Sequence, residues 1–440
     1  MTENTLVPLH DELRAVDVTH MWHPYTQHQG AVPPMPIARA VGACVYDHLN
    51  NHYIDATSSG WVTLHGHAHP MIASAIAEQA HSVEHVSFAG YTHEPAVRLA
   101  EQLVRIVPGG LSRVFFSESG STAVEVALKM AIQYWVNRGE QRKLIVGLEN
   151  AYHGETFGAM AVSGRGAFTA PFKDHFFKVV RLPDPSLDDG ESAVAKLQRV
   201  LERRGKNVAA VIVEPLLMGR AGMRVWEGKT LRAMRQLTEE HGVLLIADEA
   251  LTGFGRTGPL FASGAAEISP DIMCLSHGLT GGFLPLGATV AREEVYAAFL
   301  GNGDDGAGKM FLHGHAYTAN PLACAAARAS LTLLDEESAG RRAGIEEVHR
   351  GKIGELTSHP MVKSPRVLGT LAAFDLAAAA GGGVARDGPA APGLEEFALK
   401  HGVLLKPIGN VVYVLPPYCM SPGDLAEVWS LIGMWLEVRG

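Results

Sequence analysis

The sequence predicts an α/β protein: a large domain built on a mostly parallel β-sheet, joined to a smaller α+β domain. Three observations carry this reading. Short apolar runs bounded by polar or glycine residues recur from about residue 70 to residue 330, the pattern of strands buried on both faces. Amphipathic segments stand between those runs, so strands alternate with the crossovers that parallel pairing requires. The chain has 440 residues, 47% of them hydrophobic and 19% charged, which is enough apolar material for more than one core.

In order, residues 1–65 hold two strand-like pieces, Ala43–Asp47 and His52–Ala56, expected to pack with the C-terminal unit. Residues 66–330 form the large domain. Its predicted strands are Val114–Phe116, Lys143–Val146, Ala209–Val213, Val243–Ala247 and Ile272–Leu275, with amphipathic helices at Thr122–Asn137 and Lys229–His241. An Ala-rich helix closes that domain. Residues 331–440 form the smaller domain, ending in a helix over Asp424–Val438. Within it, Leu376–Pro392 (LAAAAGGGVARDGPAAP) is low in complexity and reads as a surface insertion.

A formal net charge of −9 with no clustered Lys and Arg excludes a nucleic-acid surface, which needs cations to displace phosphate counterions. No apolar run reaches the roughly 20 residues that span a bilayer, and the opening MTENTLVPLHDELR has no apolar signal core. A soluble, cytoplasmic protein without a membrane partner is expected. The four cysteines (Cys44, Cys274, Cys324, Cys419) show no CxxC spacing and read as reduced thiols. His65-Gly-His-Ala-His69 and His313-Gly-His315 bring imidazoles close in sequence, but with no carboxylate or cysteine at ligand spacing no metal is assigned.

Four segments carry chemistry. Asp248 ends an apolar run; it reads either as the cap of a turn or as a carboxylate placed to keep a pyridine nitrogen protonated. Ser117-Glu-Ser-Gly-Ser-Thr-Ala123 joins a strand to a helix, where Gly120 and Ser121 would serve equally as part of a helix cap or as a phosphate cradle. Tyr152 follows the next strand, either as core or stacked on a flat ring. The run Asp271–Ser276 leads into His277-Gly-Leu-Thr-Gly-Gly282. An acid at one strand end and an amine about thirty residues later is a common way of holding pyridoxal 5′-phosphate (PLP). The acid is present, and a histidine stands where the amine belongs.

Together these motifs resemble the class III aminotransferases, which have the type I PLP-dependent transferase fold, and the resemblance covers nearly the whole chain. Met21-Trp-His-Pro-Tyr-Thr26, Ser58–Gly66 (SSGWVTLHG), Val124–Met130 (VEVALKM), Phe311-Leu-His-Gly-His315 and Leu415-Pro-Pro-Tyr418 are similar to the biotin-synthesis branch of that family. The resemblance implies transfer of an amino group from S-adenosylmethionine to 8-amino-7-oxononanoate, giving 7,8-diaminononanoate. It further implies a homodimer with shared active sites. Gly120 and Ser121 would bind the cofactor phosphate, Tyr152 would stack near its ring and Asp248 would pair with its nitrogen. Tyr25 would recognise the keto acid, and Gly314 would line the site from the partner subunit, with His315 and Ala316 beside the phosphate.

The chain departs from the family at several of these positions. His277 occupies the place of the lysine that holds the cofactor covalently; imidazole has no primary nitrogen, so bound PLP would be non-covalent and activity impaired. An unperturbed imidazole, with a pKa near 6.5, would still carry protons at neutral pH. Ala316 replaces a hydroxyl residue, and Lys406 replaces an arginine that pairs with a substrate carboxylate, losing its bidentate fork. Gly60 replaces an aromatic, and Met218 a glutamine. Two other readings stay open: another class III enzyme acting on ω-amino acids or diamines, and a non-catalytic binding protein of the same fold.

Overall fold

Seven strands form the central sheet of the computed structural model, which describes residues 3–301, 308–377, 391 and 393–439. They are β1 (Leu111–Ser117), β2 (Leu144–Leu148), β3 (Val179–Leu182), β4 (Val208–Val213), β5 (Leu244–Asp248), β6 (Ile272–Leu275) and β7 (Gly287–Arg292). Their spatial order is β1-β7-β6-β5-β4-β2-β3. Pairings β6-β5, β5-β4, β4-β2 and β2-β3 are parallel. Only β7 runs against its neighbours, inserted between β1 and β6.

Five of the seven strands were expected from the apolar pattern, with ends shifted by up to three residues. The other two escaped it for different reasons. Strand β3 has only one fully buried residue, and Arg181 interrupts its apolar run. Strand β7 (GATVAR) is buried over its first five residues, yet Gly287, Ala288 and Ala291 have weak strand propensity and break its apolar run into small side chains. Those small residues let the helix Gly120–Asn137 lie close: Thr289 Oγ1 donates to Ala123 O at 2.8 Å, and Cys274 on β6 approaches the same carbonyl.

The smaller unit has a three-stranded antiparallel sheet (Val362–Leu368, Leu371–Leu376, Val411–Val414) backed by helices Glu336–Leu356 and Pro422–Arg439. The N-terminal strands join it. His52–Asp55 pairs in parallel with Val403–Leu404, and Ala43, Ile54 and Ala56 share one apolar cluster with Phe374, Leu394 and Trp429. The segment Leu376–Pro392 lies almost entirely outside the described residues. Among the described residues no helix is long and apolar enough to cross a membrane, and all four cysteines are free thiols.

Candidate active site

In an open α/β sheet the carboxyl ends of parallel strands converge on one rim, where the loops that follow them form a crevice. Here those loops enclose a cavity of about 370 Å³. Its wall contains Gly120 and Ser121 after β1, Tyr152 and His153 after β2, Glu214 after β4, Asp248 at the end of β5, and His277 after β6. Strand ends and loops as far apart in sequence as Gly120 and His277 thus bring their residues to one space.

Asp248 sits at the base of this cavity with 5% of its surface exposed. Its Oδ2 accepts from His153 Nδ1 at 2.7 Å, and its Oδ1 from the Ala250 backbone N–H at 3.1 Å. Two donors fix the carboxylate while it still faces the cavity. The adjacent Glu249 turns the other way: it accepts from Thr252 and from the N–H groups of Ala262 and Ser263, so it braces the following loop. Glu214 is buried too and accepts from the N–H groups of Tyr152 and Gly219. Burial pushes its carboxyl up to about 7, against opposing pulls from His153 and those two N–H groups.

The helix Gly120–Asn137 brings its N-terminus into the same wall. Ser119 caps it, its hydroxyl accepting from Thr122 N–H while Thr122 Oγ1 accepts from Ser119 N–H. Because the cap satisfies donors deeper in the turn, the Gly120 and Ser121 N–H groups are the ones left for an anion. A Cβ on Gly120 would stand 3.3 Å from Ala250 Cβ and 3.4 Å from Ser276 Cβ, so a side chain there would crowd the space. Gly154, at φ +116°, is tighter still: its Cβ would fall 2.1 Å from Ser121 Oγ. That hydroxyl accepts from Glu155 N–H.

His277 forms part of the cavity wall, its ring edge-on to Trp61 at 6.2 Å between centroids. Its Nδ1 is buried and has no hydrogen-bond partner among the described residues. Burial lowers the imidazole to about 4, with Asp248 opposing and Arg256 assisting. This corrects the expectation of an unperturbed imidazole: at neutral pH the ring is neutral, with no imidazolium proton to give and only weak basicity. Among the described residues no lysine lines the cavity wall, Lys406 included.

Trp61 ends a four-residue run, Ser58 to Trp61, with φ between +48° and +81° throughout. Non-glycine residues rarely adopt such angles, and here side-chain bonds hold them. Ser58 Oγ donates to Leu415 O, Ser59 Oγ to Asp55 Oδ2, and Trp61 Nε1 to the Tyr413 hydroxyl. The buried Arg256 donates to Pro416 O, Trp61 O and Thr63 O, tying this loop to Leu415–Tyr418.

The remaining expected site residues stand elsewhere. Tyr25 is 58% exposed and meets the cavity only through its neighbours, edge-on to Phe168 and with Arg220 over its ring. Gly60 precedes Trp61 without joining the wall, and a Cβ there would meet open space. Gly314, His315 and Ala316 lie outside the wall of this chain's cavity; His315 Nε2 stands 2.7 Å from Glu118, which is in it. Lys406 is exposed and away from the wall. The histidine motifs are dispersed: His65 meets Ser330, His67 meets Asp55, and His313 meets Lys129. His153, Glu214 and Arg220 were not singled out from sequence. Glu214 directly follows an all-apolar strand, as Asp248 ends one, and that signal would have found it.

A cavity of this size suits a small aromatic phosphate. The donor set fits as well: a helix N-terminus with unbranched backbone for a phosphate, a flat tyrosine on the wall, and a braced carboxylate for a ring N–H. Comparison with known proteins agrees. Residues 25–435 match the family described as Aminotransferase class-III. The chain is 46% identical over 426 residues to the adenosylmethionine-8-amino-7-oxononanoate aminotransferase of Synechococcus elongatus, covering 95% of this chain and 98% of that one. The enzyme of the same name from Mycobacterium leprae is 37% identical, covering 98% and 97%. Among solved structures, that of the same name from Methanocaldococcus jannaschii superposes with a TM-score of 0.91 at 33% identity, covering 97% and 99%. The omega transaminase of Pseudomonas jessenii, solved in complex with PMP, superposes with a TM-score of 0.88 at 26% identity, covering 97% and 100%.

Proposed function

Since the chain belongs to the class III aminotransferase family, we propose that it is an adenosylmethionine-8-amino-7-oxononanoate aminotransferase whose PLP is held without a covalent bond. The observation that carries the second half is the cavity wall itself, which presents the neutral imidazole of His277 and no lysine. The first half is supported by relatives of that name over nearly the full chain length.

When bound, PLP supplies a cationic ring that withdraws electrons from the substrate carbon. This chain's residues make that possible in distinct ways. Asp248 holds the proton on the ring nitrogen, and His153 fixes the orientation of Asp248. Gly120 and Ser121 would hold the phosphate through their backbone N–H groups, and Tyr152 would lie against the ring. His277, a neutral imidazole in the cavity wall, can accept a proton there, and its low basicity makes it a weak base. Lacking a primary amine, it provides no covalent anchor to exchange with incoming amino groups, so transfer is slow. Two chains associate, the loop around Gly314 to Ala316 serving the partner's cavity.

Borohydride reduction followed by intact mass measurement tests this. The protein as it stands is expected to bind PLP in a titration yet show no fixed adduct, while His277→Lys gains one adduct per chain. The variant is further expected to transfer from S-adenosylmethionine to 8-amino-7-oxononanoate at least about 1,000-fold faster, the scale on which loss of a covalent group acts. A fixed adduct in the unaltered protein would sink the non-covalent reading. A variant acting on ω-amino acids or diamines while ignoring 8-amino-7-oxononanoate would move the chain to that branch. Absence of any PLP affinity would make it a binding protein of this fold.

A further inference from the structure

The segment 309–316 is pinned along one face of the helix Gly120–Asn137. Lys129, Gln133 and Asn137 recur every four residues, so they share that face and meet the segment in turn. Lys129 Nζ donates to Leu312 O at 3.0 Å, Gln133 Nε2 to Met310 O at 2.8 Å and Asn137 Nδ2 to Lys309 O at 2.9 Å. The segment thus runs from the C-terminal end of the helix toward its N-terminus. Phe311 packs edge-on against Phe115 and Phe299, and Thr318 closes a turn on the His315 backbone. His315 is thereby brought to Glu118, the residue before the Ser119 cap.

There His315 Nε2 and Glu118 Oε2 stand 2.7 Å apart. Both atoms are buried, and neither has an aligned hydrogen bond among the described residues, so each is left facing the other. A carboxylate only accepts, so the nitrogen opposite it carries its hydrogen. Glu118 shares the cavity wall with Ser119, Gly120 and Ser121. A carboxylate at a helix N-terminus competes with a phosphate twice over, being drawn to the same positive end and repelling the like charge. Neighbouring charged groups are engaged elsewhere. Lys129 donates to Leu312 O and His313 Nδ1, and Glu125 accepts from Thr156 Oγ1 and the N–H groups of Gly158 and Ala159.

We infer that His315 is a positioning residue for the cofactor phosphate, acting through Glu118: it engages that carboxylate and relieves the like charge opposing a phosphate at Gly120 and Ser121. This rests on the PLP reading and adds the residue that sets how tightly the phosphate is held. The resemblance placed His315 beside the phosphate itself, whereas here it faces a carboxylate of its own chain. The effect holds whether or not the loop also reaches the partner's cavity.

The experiment titrates PLP, pyridoxal and inorganic phosphate into the full-length protein, unaltered and as His315→Ala, Glu118→Gln and the double variant. His315→Ala is expected to weaken PLP about 3- to 10-fold, the scale of a partly exposed charge contact acting on a doubly charged phosphate. Pyridoxal, which lacks the phosphate, should bind as before. The loss should shrink at high salt, which screens exposed charges. In the Glu118→Gln background, removing His315 should cost nothing further. Equal losses of PLP and pyridoxal, a loss that persists in the double variant, or unchanged PLP affinity in His315→Ala would each overturn the inference. If inorganic phosphate binds with the same dependence on both residues while PLP does not bind, the inference stands and the PLP reading falls. Absence of affinity for all three ligands would overturn both.

Discussion

At the scale of single residues, burial decides the chemistry. The same side chain, histidine, plays unlike parts here because its surroundings differ. His153 donates to Asp248, whereas His277 is stripped of water with an unpartnered nitrogen. His349 accepts from Trp429 Nε1 at Nδ1 and meets Thr370 O at Nε2, so it is held neutral. His277 and His349 are lowered to about 4, and His65 to about 3, each mainly by burial. Unfolding returns them to about 6.5, so between roughly pH 6.5 and 4 the unfolded chain binds more protons and stability falls as pH drops. Glu214 works oppositely: raised to about 7, it keeps its proton when folded, and its contribution is lost as pH rises through 7. Thermal midpoints are therefore expected to fall from pH 6.5 to pH 4, and His349→Gln should flatten that fall. Gly154→Ala is a sharper test of geometry. The left-handed backbone and the contact with Ser121 are expected to cost about 1–3 kcal/mol in a urea titration.

Asp248 was legible in sequence as an acid ending an apolar run, a pattern that also fits the cap of a turn. Its partner His153 was not, since 95 residues separate them and only the sheet brings them together. The ring contacts of Arg220 with Tyr25, Tyr152 and Phe168 were likewise invisible, because they join distant segments. The gap at His277 was visible at once, because the residue type is itself the information.

Among elements, the helix Gly120–Asn137 ties stability to binding. Ser119 caps it, and the donors beyond the cap face the cavity. Ser119→Ala is expected to cost about 1 kcal/mol, measured by denaturant titration. Ser119→Asp separates the two roles: it should preserve the cap, since aspartate accepts as serine does, while placing a negative charge beside the phosphate. PLP affinity is expected to fall well beyond stability; equal losses would show that the helix end does not hold the anion. Strand β7 teaches a related lesson. Its small residues looked unlike a strand because they answer to the helix packed on them rather than to strand propensity.

Across the whole molecule, the N-terminal strands belong to the C-terminal core. Ile54 packs in one cluster with Val403, Phe374 and Trp429. Ile54→Ala is expected to cost about 2–5 kcal/mol. Hydrogen exchange locates the effect: amides of Pro422–Arg439 should lose protection more than those of β4 and β5, and the reverse would detach the N-terminal segment from that core.

The sequence alone determined the α/β class, the principal strands, the acid at Asp248 and the lack of an amine at His277. Each is written in the period of neighbouring residues or in the chemistry of one side chain. The tertiary structure alone decided that β7 inserts against its neighbours, that His277 is neutral, that His153 braces Asp248, and that Lys406 stands away from the cavity wall. These depend on burial and on contacts between distant segments, which arise only once the sheet has set the order of its strands.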